Sequence, residues 1–490
     1  MNFRINHVAK TGLLATLLIG GSCNVLTQDP PTAFSTADTF STAGRISQAA
    51  IGMYNSLQDA EFYGGRVLIY GDVRSDDTDP SAYFTGVSDF TALSNNVYAL
   101  NAWTGGYRTI YAANLFMQNL AAAPGIVDAT TTAQYIAEAK FIRAICLFQL
   151  CNLYAQPYGF TADASHLGVP IVLTAAPDAV AAFSATQQIP RSTVKDVYTQ
   201  IEKDLLDALG GLPASVRAAS YSNTARATKS AAEAMLMRLY LYKGDYASAL
   251  TRANNVVATG AYTLNASPVT TFRTYPTTES IFTVAMNIND NPNTNNSLGQ
   301  HYFVGGRADI TITPYVSAIS TLVAADDKRR VSLPYAAATG IPATLITAKA
   351  SAPTIPFTNK YTSVADWVPV IRYPEVLLTE AETLVLTTNT VNPAAITALN
   401  TVRDRSRVSG ASYTAASFAS SAALLTAIRN ERRVELAFEG LRYYDLLRYK
   451  QGIPARGTVA AVPYGDPKLV LPIPFIETQS NPNLVQNPGY

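Results

Sequence analysis

The sequence predicts a mainly α-helical fold with little β structure, and three observations support this prediction. Apolar residues recur every three to four positions through two long regions, about 105–260 and 372–450, as expected for amphipathic helices. Glycines stand where several of these patterns stop, as they commonly do after helix ends. Between about 261 and 370 the helical period is lost, which indicates a long irregular segment between the two helical regions.

The clearest helical unit covers residues 228–260. One helix is predicted over 230–243 and a second over 246–258, because Gly244-Asp245 and Gly260 stand at their ends. Small and aromatic residues lie where tetratricopeptide-like hairpins place their packing residues: Ala232, Leu239, Tyr242, Gly244, Tyr246, Ala249 and Ala253. One hairpin cannot bury its own apolar face, so other helices must stack on it. The candidates are 105–122, 133–155, 193–209, 375–388, 394–406 and 422–439.

The composition excludes several classes of function. The chain of 490 residues has 14% charged residues and a formal net charge of +1, so it has no polybasic surface for nucleic acid. Cys146 and Cys151 lie five apart in one predicted helix and cannot bridge to each other, so we expect buried apolar thiols. The motifs H-E-x-x-H, G-x-S-x-G and C-x-x-C are absent. His166 and His301 are far apart in sequence, and each is expected to be a surface or packed residue.

The N-terminal residues predict attachment to a membrane surface. Residues 1–22 resemble a lipoprotein signal peptide, with Arg4 and Lys10 before an apolar run and small residues directly before Cys23. Cys23 would become the acylated N-terminus, and residues 23–40 would form a lipid-anchored tether. The apolar run is too short to span a bilayer. The alternative is an ordinary cleaved signal in which the cysteine is incidental.

Residues 428–450 carry the densest charge of the chain. A helix is predicted to run through Phe438 and to end at Gly440 in a left-handed conformation, followed by a short helix over 442–449. Three pairs of opposite charge are spaced i,i+3, which suits ion pairing on a helix: Arg432 with Glu435, Glu439 with Arg442, and Asp445 with Arg448.

Two interpretations of this charged stretch are open. Glu435 and Glu439 lie one helical turn apart and could form a catalytic carboxylate pair. The abundance of neighbouring arginines favours a structural ion-pair network that locks helices together. Its predicted members are Glu431, Arg432, Arg433, Glu435, Glu439, Arg442 and Asp445.

The run N-E-R-R-V-E-L-A-F-E-G-L-R-Y-Y-D-L-L-R resembles the C-terminal signature of the SusD/RagB family of nutrient-binding outer-membrane lipoproteins. Further motifs resemble the family in the same chain order, and the matches extend from Cys23 to Tyr490. They are the W…Y…I…aN segment at 103–114, R-Y-x-E-v-L-L-x-x-A-E at 372–382, lN-x-v-R at 399–405 and the proline-rich end at 471–490.

The resemblance implies a single domain over 41–490. Its tetratricopeptide-like hairpins would form a right-handed superhelix with helical repeats at about 105–260 and 372–450. Loop-rich, ligand-side segments would lie at about 62–104 and 261–370. The resemblance also implies the family's function.

That function is nutrient binding without catalysis. The resemblance implies capture of an oligosaccharide or another nutrient and its transfer to a TonB-dependent outer-membrane transporter of SusC type. The lipid on Cys23 would hold the protein to the outer membrane, facing the cell exterior. Two alternatives stay open: a surface glycoside hydrolase, and a tetratricopeptide-type scaffold that binds proteins without glycan affinity.

Six residues are candidates for ligand contact because of their type and their position within the resemblance. Aromatic faces suit sugar rings, and short polar or arginine side chains suit hydroxyl groups. The candidates are Arg74, Asp77, Tyr83 and Tyr98 from the 72–98 loops, with Asn289 and Tyr302 from the irregular middle. Trp103 could also stack on a sugar, but a tryptophan that opens an amphipathic helix favours the core.

No cofactor is expected. The spacing Asp77-x-Asp79 is compatible with calcium, but the glycine and the distal glutamate of an EF-hand loop are missing. A solvated turn is the favoured interpretation of these carboxylates.

Overall fold

The computed structural model describes residues 35–490 except for 183, 185, 215–223, 331, 335–344, 350 and 351. The predicted signal peptide, the lipid-attachment site Cys23 and most of the tether lie outside the described residues. The boundary at residue 41 therefore stays a prediction. Helices dominate the described residues and strands are few, which confirms the mainly α fold.

The helices are numbered here in chain order. They are α1 (Thr36–Thr39), α2 (Ala43–Leu57), α3 (Arg66–Val73), α4 (Val97–Ala122), α5 (Ala129–Tyr154), α6 (Ala179–Ala182), α7 (Val194–Gly211), α8 (Lys229–Lys243), α9 (Tyr246–Ala258), α10 (Leu298–Tyr302), α11 (Thr313–Leu322), α12 (Tyr373–Thr388), α13 (Pro393–Ser406), α14 (Ser421–Glu435), α15 (Arg442–Arg448) and α16 (Phe475–Ser480). No helix within the described ranges is both long and apolar enough to cross a bilayer.

The long helices pack on one another in chain order. The contacts run from α2 to α4, α5, α7, α8 and α9, and then to α12, which packs on both α13 and α14. Each hairpin buries one face against the previous helices and offers the other face to the next, as in tetratricopeptide-like repeats. The predicted hairpin at 228–260 is confirmed to within one residue as α8 and α9.

Local signals explain why this hairpin forms. The Thr228 side chain accepts a hydrogen bond from the Ala231 N–H and begins α8. Gly244 has φ +77°, the left-handed conformation that ends a helix most easily without a Cβ. The Asp245 side chain then accepts from the Ser248 N–H and begins α9. A two-residue connection therefore holds the two helices side by side.

Two small sheets lie in the middle of the chain. Strand β1 (Ser280–Val284) pairs antiparallel with β5 (Val368–Arg372), with Ser280 opposite Arg372. Strand β3 (Ile346–Lys349) pairs in parallel with β2 (Ser332–Pro334) and antiparallel with β4 (Ala352–Thr358). The β1–β5 pair carries Arg372 to the start of α12, where it meets the charged C-terminal helices.

Two helices were not predicted, and two predicted helix boundaries are wrong. Helices α3 and α11 lie where loops were expected. Helix α3 is buried on every side and therefore lacks an amphipathic period. Helix α4 begins eight residues earlier than predicted, capped by Asn96, whose side chain accepts from two backbone N–H groups. Helix α14 ends at Glu435, because Phe438 already has φ +62° and leaves the helix before Gly440.

The turn after α14 touches α3 at two glycines. Gly440 has φ +73°, and a Cβ placed on it would lie 2.7 Å from the Cα of Leu68. A Cβ on Gly71 would overlap the Gly440 carbonyl group. Backbone contact this close requires glycine on both sides, so α3 and the turn are fitted to each other.

We predict that Gly440→Ala lowers the free energy of unfolding by about 2–4 kcal/mol. The new methyl group must adopt a left-handed φ and also push the α3 backbone away. Urea unfolding of the purified protein measures this loss.

Gly52→Ala is the matched control for that substitution. Gly52 lies within α2 with no heavy atom within 4 Å of a new Cβ, so alanine should stabilise the protein by about 0.5–1 kcal/mol. Equal unfolding midpoints for Gly440→Ala and the wild-type protein would contradict the predicted close contact.

Candidate functional site

Aromatic side chains from two parts of the chain meet at one surface of the protein. The ring of Tyr83, in the short 3-10 turn Ala82–Phe84, lies 6.2 Å from the ring of Tyr98 at the start of α4. The Tyr98 hydroxyl donates a hydrogen bond to the Tyr83 carbonyl oxygen, which fixes the turn against the helix. Both side chains are half-buried. Partly accessible tyrosine rings with polar edges suit flat, polar ligands such as sugars.

A buried cation lies beneath these rings. The Arg66 guanidinium carbon is 5.4 Å from the ring centres of both Tyr83 and Tyr98. The same guanidinium donates to the Asn295 carbonyl oxygen and to Asn296 Oδ1, each at 2.7 Å. Arg66 thereby joins the aromatic turn to the asparagine-rich segment, and the attraction between cation and ring stabilises this arrangement.

The irregular middle of the chain forms the other side of the cluster. The Arg307 guanidinium carbon lies 4.5 Å from the Tyr83 ring centre, and Nη1 donates to Asn295 Oδ1 at 3.2 Å. The buried His301 ring lies 4.9 Å from the Tyr83 ring and within 2.9 Å of Asp309 Oδ2. Arg307 and Asn295 are exposed, so a ligand stacked near Tyr83 would meet polar groups at its edge.

The charges at this cluster favour binding over acid catalysis. Partial burial would raise the pKa of Asp309, but hydrogen bonds from His301 and Arg307 lower it below its ordinary value. Burial lowers the pKa of His301. Asp309 is therefore an ionised carboxylate held by its neighbours at neutral pH, whereas a glycosidase acid must keep its proton.

Three of the six predicted ligand residues lie beneath the surface. Arg74, Asp77 and Tyr302 are only 1%, 1% and 0% exposed. Arg74 donates to the Tyr443 hydroxyl at 2.9 Å, and the Tyr302 hydroxyl donates to Asp72 Oδ2 at 2.6 Å. The prediction of direct ligand contact by these three residues is corrected, because burial leaves almost no part of them accessible to a ligand.

Asn289 is distant in sequence from Tyr83 and Tyr98. It is exposed in the turn Asn287–Asp290, where Asn287 Oδ1 accepts from the Asn289 and Asp290 backbone N–H groups at 2.8 and 3.0 Å. Asn291 and Asn293 accept in the same way from residues two positions later. The asparagines therefore shape the loop that carries Asn295 to Arg66, and ligand contact by Asn289 stays a prediction.

Six residues of the cluster were absent from the sequence-based ligand candidates: Arg66, Asn295, Asn296, His301, Arg307 and Asp309. Arg66 lies within a helix that shows no amphipathic period. His301 and Tyr302 are neighbours in the five-residue helix α10, and the sequence gives no sign of which one contacts the tyrosines. The Gly305-Gly306 pair before Arg307 was a usable signal, because glycines often lead into an exposed functional turn.

The predicted ion-pair network lies in the interior. Glu435 is 2% exposed and Glu439 is 7% exposed. Glu435 is within 3.3 Å of Arg372 and Arg329 and also contacts Arg405. Glu439 accepts from Arg372 at 2.7 Å and from Lys360 Nζ at 2.6 Å. These carboxylates are enclosed by cations, in contrast to a catalytic pair that opens into a cleft.

Two of the three predicted i,i+3 pairs do not form. Arg432 pairs with Asp445, at 2.9 Å, in place of Glu435, and also lies 3.6 Å from Glu375. Arg442 pairs with Asp76 in place of Glu439. The helix ends before Glu439, which removes the helical spacing on which that pair depended. The predicted Asp445–Arg448 pair does form, at 2.7 Å.

The network continues into the loop that carries Tyr83. Arg433 donates to Asp77 Oδ1 at 2.8 Å and lies 3.2 Å from Asp76. Arg442 binds both oxygens of Asp76, at 2.7 and 2.8 Å. Glu431, the remaining predicted member, pairs with Arg329. The acidic loop is thus fixed to α14 through Arg433 and to α15 through the bidentate contact of Arg442 with Asp76, and these contacts restrain its geometry.

The acidic loop is not arranged as a calcium site. Asp77 is engaged by Arg433, and Asp79 accepts from Thr311 Oγ1 at 2.6 Å and the Thr313 N–H at 3.1 Å. In the described parts of the chain, no three His, Cys, Asp or Glu side chains come together as a metal-binding group.

Cys146 and Cys151 are buried free thiols.

Comparisons with known proteins agree on one family. Residues 28–241 match the family described as "Starch-binding associating with outer membrane", and residues 347–490 match the SusD family. SusD-like protein P2 of Formosa agariphila is 26% identical over 98% of this chain and 99% of the relative.

Solved structures show the same likeness. A SusD superfamily protein from Bacteroides fragilis has a TM-score of 0.79 and 27% identity, covering 91% of this chain and 100% of that one. A protein described as a laminarin-binding SusD-like protein has a TM-score of 0.68 and 22% identity, covering 92% of this chain and 100% of its own, which shows the shared fold.

We predict that Glu435→Gln lowers the free energy of unfolding at pH 7 by about 3–5 kcal/mol, because it leaves buried guanidinium groups without their counter-charge. Burial would raise the pKa of Glu435, but Arg405, Arg372 and Arg329 lower it well below its ordinary value. Since the folded-state pKa is lowered, this stabilisation is present above the unfolded pKa of about 4.3 and is lost as the pH falls below it. The variant should therefore lose less stability than the wild-type protein between pH 5 and 3, as measured by urea unfolding.

Asp207→Asn is the control for a surface ion pair. Asp207 contacts Lys140 and Lys203 at 2.7 Å on the partly exposed surface of α7, so its loss should cost less than about 1 kcal/mol. Similar costs for the two substitutions would show that the buried network does not depend on Glu435.

Proposed function

The chain belongs to the SusD family, and on that premise we propose that it is a cell-surface binding protein that captures an oligosaccharide. It then passes this ligand to a TonB-dependent outer-membrane transporter of SusC type. SusD-family proteins bind carbohydrate and are not catalysts, so the expectation that this chain is not an enzyme is confirmed at the level of the family. The family is also associated with the outer membrane.

The observation that carries the proposal is the cluster around Tyr83. Two half-buried tyrosines provide ring surface, while Arg307 and Asn295 provide exposed donors and acceptors beside it. Arg66 and the ion-paired acidic loop hold this surface in place before a ligand arrives. A pre-formed surface loses little conformational entropy on binding, which favours the capture of flexible chains.

The ligand class follows from the site and its relatives. The tyrosine rings suit sugar rings, and the polar rim suits hydroxyl groups. The family description of starch binding and the laminarin-binding relative both point to glucans as the first ligands to test.

Retention on the membrane and transfer to a transporter complete the proposal. The lipid would be attached to Cys23 and the protein would face the cell exterior. The short motifs that resemble the family throughout the chain support this arrangement. A tethered receptor raises the ligand concentration near the transporter without cleaving any bond.

We predict that Tyr83→Ala weakens binding of starch- or laminarin-derived oligosaccharides by at least about tenfold. A truncated aromatic residue at the centre of a binding surface typically costs more than about 1 kcal/mol. Isothermal titration calorimetry measures the change, with melting temperatures recorded to confirm folding.

The matched control is Tyr413→Ala. Tyr413 also makes a cation–π contact, because the Arg403 guanidinium carbon lies 4.1 Å from its ring centre. Unlike Tyr83, it belongs to the segment between α13 and α14. Its loss should leave affinity unchanged. Wild-type affinity in Tyr83→Ala would exclude the tyrosine cluster as the binding surface, and shortened oligosaccharide products would favour a hydrolase.

We predict that Cys23→Ala releases the protein from membranes, because it removes the acceptor for the lipid. Fractionation after a high-salt wash measures the released fraction. Cys146→Ala is the control, since this thiol is buried in α5 and its loss should leave the protein in the membrane fraction. Retention of Cys23→Ala through the wash would exclude a lipid anchor at this residue.

A further inference from the structure

Helix α4 also lines a second groove, which shares no residue with the Tyr83 cluster. The groove has a volume of about 370 Å³, at the lower end of the range for small-ligand sites. One wall is formed by aromatic residues of α4, and the opposite wall by the chain between α5 and α7. Residues of α16 and of the segment directly after it complete the lining. The side chains used below are Trp103, Tyr107, Arg108, Tyr111, Gln187 and Glu477.

Three aromatic residues form a stripe along the helical wall. Trp103, Tyr107 and Tyr111 are spaced four residues apart, so they lie on one face of α4. The Trp103 ring is buried and packs 4.8 Å from the Tyr107 ring, while Tyr111 is 41% exposed. Exposure of the rings therefore increases along the stripe, from the buried indole of Trp103 to the accessible phenol ring of Tyr111. A sugar can stack on the exposed ring surface.

The tyrosines are held by hydrogen bonds to the opposite wall. The Tyr107 hydroxyl donates to the Pro170 carbonyl oxygen at 2.9 Å, and the Tyr111 hydroxyl donates to the Ala176 carbonyl oxygen at 3.2 Å. Asn114, on the same helix, donates to the Val172 carbonyl oxygen at 3.0 Å. The rings are thus fixed at their edges.

The rest of the wall is equally constrained. Asn481 Nδ2 donates to the Ile189 carbonyl oxygen at 2.9 Å, and Asn483 Nδ2 donates to the Gln188 carbonyl oxygen at 2.7 Å. These bonds join the C-terminal segment to the wall opposite α4. The groove is formed before any ligand is present, which reduces the entropy lost on binding.

The polar groups of the groove suit a neutral ligand. Glu477 is half-buried and lines the groove together with Trp103, and burial raises its pKa. Arg108 is 67% exposed along its side chain and is paired with Asp59 at 2.9 Å. One carboxyl group and one neutralised guanidinium provide acceptors and donors with little net charge, a combination that fits hydroxyl groups better than a strongly charged ligand.

We propose that this groove is a second saccharide site, which binds a short stretch of a neutral oligosaccharide on Tyr111 and Tyr107. Glu477 and Gln187 contact its hydroxyl groups. The ligand class rests on the proposed function, but the site is a separate one. Two sites on one chain would let the protein hold a long glucan at two points, so that the chain stays bound when one contact opens.

The first test counts binding sites by calorimetry with the full-length protein and oligosaccharides from starch and laminarin. The wild-type protein should bind at two sites, and Tyr111→Ala should retain one of them with the affinity at the Tyr83 cluster unchanged. The affinity of the groove itself should fall at least about tenfold in this variant. Tyr413→Ala serves again as the control. One site in the wild-type protein, with unchanged binding in Tyr111→Ala, would overturn the proposal.

The second test measures the fluorescence of Trp103, which lines the groove. The chain contains two tryptophans, Trp103 in the groove and Trp367 elsewhere, so Trp367→Phe leaves one emitting indole beside Glu477. Adding the same oligosaccharides should change its emission in a saturable way. Tyr83→Ala should keep this change, and Tyr111→Ala should lose it.

The outcomes separate the two proposals. Heat of binding without any change in Trp103 emission would overturn the proposal of a saccharide site in the groove, while the proposed site at Tyr83 would remain supported. Loss of the emission change in Tyr83→Ala would assign it to that cluster and overturn the groove. Absence of binding heat with every oligosaccharide would overturn both proposals together.

Discussion

The rest of the structure depends on one constraint: each charge buried at the centre of the protein must have a partner. Glu435 and Glu439 are enclosed by Arg329, Arg372, Arg405 and Lys360, and each of these cations comes from a different part of the chain. A buried charge without its partner costs several kcal/mol. Because the pairs are directional, they fix the distances between the elements that supply them. The network therefore joins α12, α13, α14 and the β1–β5 pair to one another.

The same constraint reaches the candidate binding surface. Arg433 and Arg442 extend from the C-terminal helices to Asp76 and Asp77, which lie just before the turn that carries Tyr83. The acidic loop resembles a ligand site in sequence, but its carboxylates serve to anchor the loop. The aromatic surface beside it is thereby held rigidly without contributing to the ion pairs. In the proposed function, the ion-paired residues of this loop stabilise the fold, and the tyrosine that follows them contacts the ligand.

Helix α4 connects two surfaces of similar chemistry. Its first turn carries Tyr98, against the Tyr83 turn, and its next turns carry the Trp103, Tyr107 and Tyr111 stripe. In both places tyrosine hydroxyls donate to backbone carbonyl oxygens, which fixes the ring edges and leaves ring surface available. Both surfaces include residues of this one helix. In the two-site proposal, an extended saccharide would contact both surfaces at once, whereas a single small molecule would occupy only one.

The sequence by itself determined the elements whose cause is local. The α8–α9 hairpin follows from helical periodicity and from Thr228, Gly244 and Asp245, and the C-terminal motif indicated the family. Only the tertiary structure decided which charges pair and which residues are accessible. Arg432 bonds to Asp445 across a turn whose shape depends on the contact of Gly440 with α3, and Arg74 is buried because Tyr443 and Leu469 reach it from a distant part of the chain. A helical period in the sequence arises when one face of a helix is buried and the other is exposed. It therefore cannot indicate a helix such as α3, which is buried on every side. Pairing and accessibility are properties of contacts between distant segments, and these contacts exist only after the chain has folded.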